Sequence, residues 1–590
     1  MWTHLLSSTT LHENSHGTIS LLVRLPLLLS TVLAGCRPSG EVHMLQPERQ
    51  PGLQAEGSRG MVVSDARLAT LTGLQTLQAG GNAVDAAVAA AFALAVVYPE
   101  AGNIGGGGFI VAHFASGASA TLDFREIAPL AATSTMYLGS DGQPDNRSLV
   151  GHLASGVPGS VAGLWEAHRR YGTLPWKELL EPAIRLAREG FTVDDRFART
   201  SRDDSSRLAR FPSSALLLLP GGKALSPGSI WKNPDLAATL ERVADRGPSG
   251  FYQGETADLI VAEMRRGGGI ITHADLERYR AVWRLPVEFT YRHHKVISMP
   301  PPSSGGVTLA IICNILEGYD LHALGWHSTP EVHLVAEAMR RAFADRNAYL
   351  GDPDVVRIPL DTLLSRNHAS ELRSTITPMA ATPSTAIHAG QGESPNPGMH
   401  TTHLSVVDGQ GNALALTTTL NSLYGSAVAV SGAGFLMNNE MDDFAAKPGT
   451  PNMFGLVQGE ANAIAPGKRI LSSMTPTIVL DAGGKALLVT GARGGPYIIS
   501  SVFHVLSNVI DFSMDLPAAV AAPRIHHQHL PDQLLYEEEG LGPEILEGLK
   551  ELGHALKAGR NLGAAPSIMR RNGIWLGVAD GRSRGYAEGF

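Results

Sequence analysis

The residues best able to do chemistry stand where a turn-rich arm meets a strand. Residues 374–399 are rich in Pro, Ser, Thr and Gly with little hydrophobic periodicity, which predicts a flexible linker. The arm stops at His400-Thr401-Thr402-His403. Immediately afterwards THLSVVD and NALALTTT flank the turn Asp408-Gly409-Gln410-Gly411, which predicts a β-hairpin. If the peptide bond before Thr401 is cut, that threonine becomes a chain end. Its hydroxyl can then act as nucleophile, with its own α-amine as general base. An α-amine titrates at about 7.7–8.0, so it can take and return a proton at working pH. An internal threonine has no such partner, and a threonine pair before a strand does not by itself decide the chemistry.

The elements around the hairpin can be read from spacing. Val62–Ser64 reads as a short strand. Leu68, Leu71, Leu74 and Leu77 recur at helical spacing over 66–79, and Gly80-Gly81 ends that helix. Asn82 then caps a second helix, with Asp85 at the capping-box position. Its body, AAVAAAFALAVV, is apolar all round, which predicts a buried core helix. The run Gly102-Asn103-Ile104-Gly105-Gly106-Gly107-Gly108-Phe109 invites a phosphate-loop reading. It follows a helix rather than a strand and lacks a terminal Gly-Lys-Ser/Thr, so tight backbone packing is the better reading. TIVL–DAGGK–ALLVT, residues 477–490, predicts a second hairpin. Thr329-Pro330-Glu331 marks another helix start. Histidines 526, 527 and 529 resemble a metal cluster, but adjacent histidines on a strand point to opposite faces, so a structural role is expected and no metal site. Cys313, in LAIICNIL, reads as core.

Composition narrows the function classes. The chain has 590 residues, of which 44% are apolar and 17% charged, which excludes a disordered or coiled-coil protein. Net charge is −8 and no long basic run appears, which argues against nucleic acid as a partner. Two cysteines exclude a disulfide scaffold and a cysteine-built zinc site. The apolar stretch Leu27–Gly35 is too short to span a bilayer but has the length of a signal-peptide core, with Arg24 as its positive flank. It ends Leu33-Ala34-Gly35-Cys36, similar to a bacterial lipoprotein box, so Cys36 is a candidate lipidation site; an ordinary secretory signal is the other reading. Both predict export, to the periplasm or as an outer-membrane lipoprotein, with the lipid as the sole membrane contact. The expected divisions are 1–36 signal, 37–60 flexible tether, 61–373 large body, 374–400 linker and 401–590 catalytic piece.

From Gly60 onward the chain resembles the γ-glutamyltranspeptidase family of N-terminal-nucleophile hydrolases. The segments that carry the resemblance are GMVVSDARLAT, GGNAVDAAVA, AGNIGGGGF, LDFREIAP, GVPGSVAGL, MPPPSSGGV, TTHLSVVDGQGNALALTTTLN, NNEMDDFAAKPGTPNMFGL, LSSMTPTIV, GARGGP and PRIHHQHLPD, all in order. The resemblance implies an α+β fold, a four-layer αββα sandwich, made as one precursor that cuts itself between His400 and Thr401 into a large and a small subunit. It implies no cofactor. It also implies γ-glutamyl small molecules such as glutathione as donors, and water, amino acids or peptides as acceptors.

The resemblance further assigns roles. Thr401 is the nucleophile, and Thr419 bonds its hydroxyl. Arg125, Ser472 and Ser473 take the substrate α-carboxylate, for which a guanidinium fork is well shaped. Glu440 and Asp443 take the α-ammonium, and Asn421 holds the same end. Gly494 and Gly495 supply the oxyanion hole. Taken singly, Arg125–Glu126 reads as a structural ion pair and the 440s as a solvated acidic turn. Three positions depart from common family patterns: Arg493 where many members have proline, Glu440 where many bacterial members have glutamine, and Phe454 where some have a gating tyrosine. The lid segment Pro448 to Gly459 is present. Two other readings remain: an acylase for glutaryl-type cephalosporin side chains on the same fold, and a surface-anchored protein that never matures.

Overall fold

The computed structural model describes residues 53–387 and 401–590. The signal segment with Cys36, and residues 388–400 with His400, lie outside the described residues.

The predicted hairpin forms. Thr401–Asp408 pairs antiparallel with Ala413–Thr419, with Thr401 opposite Thr419 and Thr402 opposite Thr418. Asp408 Oδ1 accepts from the amides of Gln410 and Asn412, and Gly411 takes φ 92°, so the turn has the local chemistry its residues promise. Every residue of both strands is buried. The reason is position: the hairpin lies at the middle of a seven-stranded sheet covered on both faces. Across that sheet the strands run Tyr586–Gly589, Gly60–Ser64, Thr401–Asp408, Ala413–Thr419, Gly107–His113, Ser119–Phe124 and Val282–Arg284.

The pleat sends alternate side chains to different layers. Leu404, Val406, Leu414 and Leu416 pack with the helices Arg67–Gln78 and Ala83–Val97. Val407, Ala413 and Ala415 pack toward a second seven-stranded sheet. That sheet runs Gln54–Gly57, Ile574–Val578, Ser567–Arg571, Ala486–Thr490, Thr477–Leu480, His294–Ser298 and Val287–Tyr291. The helices Gly305–Leu316, Thr329–Tyr349 and Tyr497–Ile510 belong to the same apolar cluster. The result is the expected four-layer αββα sandwich.

Local sequence explains several of these elements. Asn82 Oδ1 accepts from the amides of Val84 and Asp85, and Asp85 Oδ2 accepts from the Asn82 amide at 3.0 Å, completing the capping box. Such a cap is worth about 0.5–2 kcal/mol. The helix it starts is buried along its whole length. The glycine run is backbone packing. A Cβ on Gly106 would come within 2.1 Å of the Thr419 carbonyl oxygen, so only glycine lets this loop approach the end of the hairpin.

Two boundaries differ from the sequence reading. The end of the expected tether is ordered: Gln54–Gly57 is a strand paired with Ile574–Val578. A four-residue edge strand without a β-branched residue leaves no local signal. The first part of the expected linker, residues 375–384, is held in place. Thr375 and Thr377 carbonyls accept from Arg341 and His333, the Thr382 amide donates to Glu337, and the Ser384 amide donates to Asp532. These partners are remote in sequence, so composition alone could not find them.

The histidine run is engaged piece by piece. His526 bonds Ser500 and Gln528, His527 faces Asp532, and His529 bonds the Ser384 carbonyl. Elsewhere His333, Glu337 and His554 bring potential ligand atoms within 4.8 Å of one another. Those atoms are spent internally: His333 bonds His554 at 2.8 Å, and Glu337 accepts from Arg340 and Arg341.

Candidate active site

Thr401 opens a central strand, so its side chain is held by the sheet rather than by a loop. Its hydroxyl donates to Thr419 Oγ1 at 3.3 Å, and that oxygen also accepts from the Asn421 amide at 2.8 Å. Asn421 adopts φ 75°, a left-handed turn that asparagine tolerates, which swings the chain out of the strand. Its side chain then donates to the Asn439 carbonyl, tying the hairpin end to the acidic segment.

Arg125 follows the strand Ser119–Phe124 and is fully buried. It meets three carboxyls: Glu440 at 2.7 Å, Asp443 at 2.6 Å and Glu126 at 3.3 Å. Its Nε and Nη2 also donate to the Ile470 and Leu471 carbonyls. One cation cannot balance three ionised acids. Burial accordingly raises all three carboxyls against the pull of Arg125: Glu126 to about 7, Glu440 well above its ordinary range, and Asp443 upward. An arriving ammonium would let more of these acids ionise.

Ser472 and Ser473 face the same cavity as Thr401, Thr419, Asn421, Arg125, Glu440 and Asp443. Ser472 Oγ accepts from the Met474 amide and Ser473 Oγ accepts from Arg346 Nη2, both at 3.1 Å. Each oxygen is used as an acceptor, and neither hydroxyl hydrogen has an acceptor among the described residues. Both serines are thus poised to donate, as a carboxylate requires.

Arg346 is the site residue that sequence reasoning missed. It lies in the helix Thr329–Tyr349, is buried, and lines the cavity. Its guanidinium donates to Ser304, Asn347, Gln458 and Ser473, with no carboxylate at ion-pair distance among the described residues. Burial lowers its pKa to about 10, with Asp443 pulling the other way. In the sequence it is one arginine among three in MRRAFADR, a pattern indistinguishable from a solvated helix face.

Gly494 and Gly495 join the strand Ala486–Thr490 to the helix Tyr497–Ile510, at φ 130° and 58°. Gly495 lines the cavity, and a Cβ there would meet the Phe454 ring at 2.8 Å. Among the described residues neither glycine amide donates within the chain. Phe454 is buried on the cavity wall, and Gln528 holds its carbonyl at 3.0 Å. Asp442 accepts from the Met453 amide at 3.0 Å, so the lid segment is pinned on two sides. Arg493 turns away, donating to Tyr98 and to the Arg582 carbonyl.

The structure therefore brings together ten sequence-nominated residues: Thr401, Thr419, Asn421, Arg125, Glu440, Asp443, Ser472, Ser473, Gly495 and, beside it, Gly494. His400 and Cys36 lie outside the described residues.

A sequence model described as gamma-glutamyltranspeptidase matches residues 69–590. The chain belongs to the γ-glutamyltranspeptidase family. Among relatives, it is 48% identical to a glutathione hydrolase proenzyme of Pseudomonas sp. strain A14, over 84% of this chain and 86% of the relative. It is 44% identical to the glutathione hydrolase proenzyme of Escherichia coli K12, over 89% of this chain and 90% of that one. Among solved structures, a cephalosporin acylase from Bacillus halodurans superposes with TM-score 0.80 at 27% identity, covering 94% of this chain and 99% of the acylase. No helix among the described residues is long and apolar enough to cross a membrane.

Proposed function

We propose that the chain is an autoprocessing γ-glutamyl hydrolase and transpeptidase acting on glutathione-like donors. The observation that carries this reading is one cavity. It holds a buried strand-opening threonine with its hydroxyl 3.3 Å from a second threonine hydroxyl, two serine donors, and an acidic pair.

In maturation, Thr401 Oγ attacks the His400 carbonyl, the peptide nitrogen leaves as the Thr401 α-amine, and water hydrolyses the resulting ester. The products are a large subunit ending at His400 and a small subunit beginning at Thr401, which stay together as a heterodimer. In turnover, the α-amine takes the Thr401 hydroxyl proton as Oγ attacks the substrate γ-carbonyl. The Gly494 and Gly495 amides receive the oxyanion, where each donor is typically worth about 2.7–4 kcal/mol. The amine returns the proton to the departing amino group, leaving a γ-glutamyl ester on Thr401. Water resolves that ester as hydrolysis; an amino acid or peptide amine resolves it as transfer.

Binding follows charge. The α-carboxylate meets the Ser472 and Ser473 hydroxyls and Arg125. The α-ammonium meets Glu440 and Asp443, with Asn421 beside it. A glutaryl side chain, as an acylase would use, lacks the ammonium and would leave the acids with Arg125 as their only ion-pair partner among the described residues, so the acidic pair favours the glutamyl reading. Export follows from the N-terminal signal, with a lipid on Cys36 as anchor. Comparing hydrolysis of a γ-glutamyl anilide with its glutaryl counterpart tests the proposal: the glutamyl compound is expected to react at least a hundredfold faster, and a faster glutaryl reaction would make the chain an acylase.

A further inference from the structure

A second cavity, of about 260 Å³, opens behind the glycine loop. Its walls carry five arginines, Arg196, Arg199, Arg493, Arg582 and Arg584, against two acids, Glu100 and Asp203. Two of the arginines are compensated. Arg196 is buried, ion-pairs with Glu100, and lies over the Tyr98 ring at 4.0 Å. Arg582 pairs with Glu537 and Asp580.

The other three make no ion pair among the described residues. Arg199 and Arg584 are exposed. Arg493 donates Nη1 to Tyr98 Oη and Nη2 to the Arg582 carbonyl, while its buried Nε has no partner. Among the described residues no carboxylate reaches it at ion-pair distance, and Asp65 and Asp580 act on its charge from farther off. Tyr98 accepts from Arg493, so its own hydroxyl hydrogen is also uncommitted. Arg199 and Arg584 bring exposed positive charge to the cavity beside Asp203, and the free donors are guanidinium N–H groups, whose planar fork fits oxyanions.

We propose that this cavity binds a small oxyanion. The volume is far above the roughly 30 Å³ that one water occupies in the liquid, so an ion and bridging waters fit together. The position gives the site a consequence. Arg493 immediately precedes Gly494, and its amide and carbonyl both bond Ala564. A bound anion neutralises Arg493 and steadies the loop that presents the oxyanion-hole glycines. The inference goes beyond the γ-glutamyl chemistry and does not depend on it.

Calorimetric titration of the purified full-length protein with inorganic phosphate, and separately with malonate, tests the site. Phosphate is expected to bind, and Arg199→Ala/Arg584→Ala, which changes only exposed side chains, is expected to weaken it at least fivefold. Binding should persist in Ser472→Ala/Ser473→Ala, which lacks the hydroxyl donors of the first cavity. Absence of binding to the wild type, equal affinity in the arginine double variant, or loss in the serine variant would overturn the proposal. Tighter phosphate identifies a phosphate-type ligand and tighter malonate a dicarboxylate; either ranking upholds the site.

Discussion

The Thr401 hydroxyl donates to the Thr419 hydroxyl across a register pair of one hairpin, at 3.3 Å. Because the two residues are directly opposed, the sheet itself fixes their approach. Thr419→Val keeps the shape and removes the acceptor. It should slow maturation and lower kcat about tenfold to a hundredfold, at about 1.4 kcal/mol per factor of ten. Thr419→Ser should stay within tenfold of wild type. Gel quantification of the two subunits and steady-state kinetics measure both, and a valine variant as active as serine would remove Thr419 from the mechanism.

Asp443 touches Arg125 and shares the acidic pocket with Glu440. In the proposed binding mode Asp443→Asn removes a carboxylate that the γ-glutamyl ammonium would meet and a glutaryl chain would not. A charged hydrogen bond contributes about 1.5–3 kcal/mol, so kcat/KM on γ-glutamyl substrates should fall roughly ten- to 150-fold while the glutaryl rate changes little. Equal losses on both would count against the ammonium role.

In the proposed binding mode Arg346 acts through Ser473, whose oxygen it occupies at 3.1 Å. Arg346→Met should raise KM about tenfold with a smaller change in kcat, and Arg346→Lys should recover part of the loss. In a double-mutant cycle with Ser473→Ala the effects should fall short of additive. Full additivity would show that the arginine serves only the packing around it.

Glu331 begins the helix that carries Arg346, far from the reacting groups. Burial raises its carboxyl to about 8. The folded chain thus holds a proton that the unfolded chain releases at ordinary carboxylate pH. Stability is fully present below the unfolded value and declines as pH rises from there through about 8. Glu331→Gln should therefore raise Tm at pH 8.5 and change it little at pH 4.5. A Tm gain of equal size at both values would rule out titration as the cause.

What was legible in the sequence was local. The hairpin, the Asn82–Asp85 box and the buried alanine-rich helix follow from spacing and turn residues a few positions apart. The nominated site residues came from ordered family motifs, and the fold then gathers them from six separate stretches of chain. What was hidden depended on distant partners. The strand Gln54–Gly57 exists because Ile574–Val578 offers its edge, and residues 375–384 are held by side chains of one buried helix and by Asp532. Arg346 carries no signal in the sequence because nothing nearby reveals that its helix is covered on every side.

The central claim is that a threonine inside the precursor becomes a chain end. N-terminal sequencing of the purified active protein tests this most directly. The account predicts a second start reading Thr-Thr-His-Leu, absent from Thr401→Ala; an active protein that yields one uncut chain, or a start elsewhere, would contradict it.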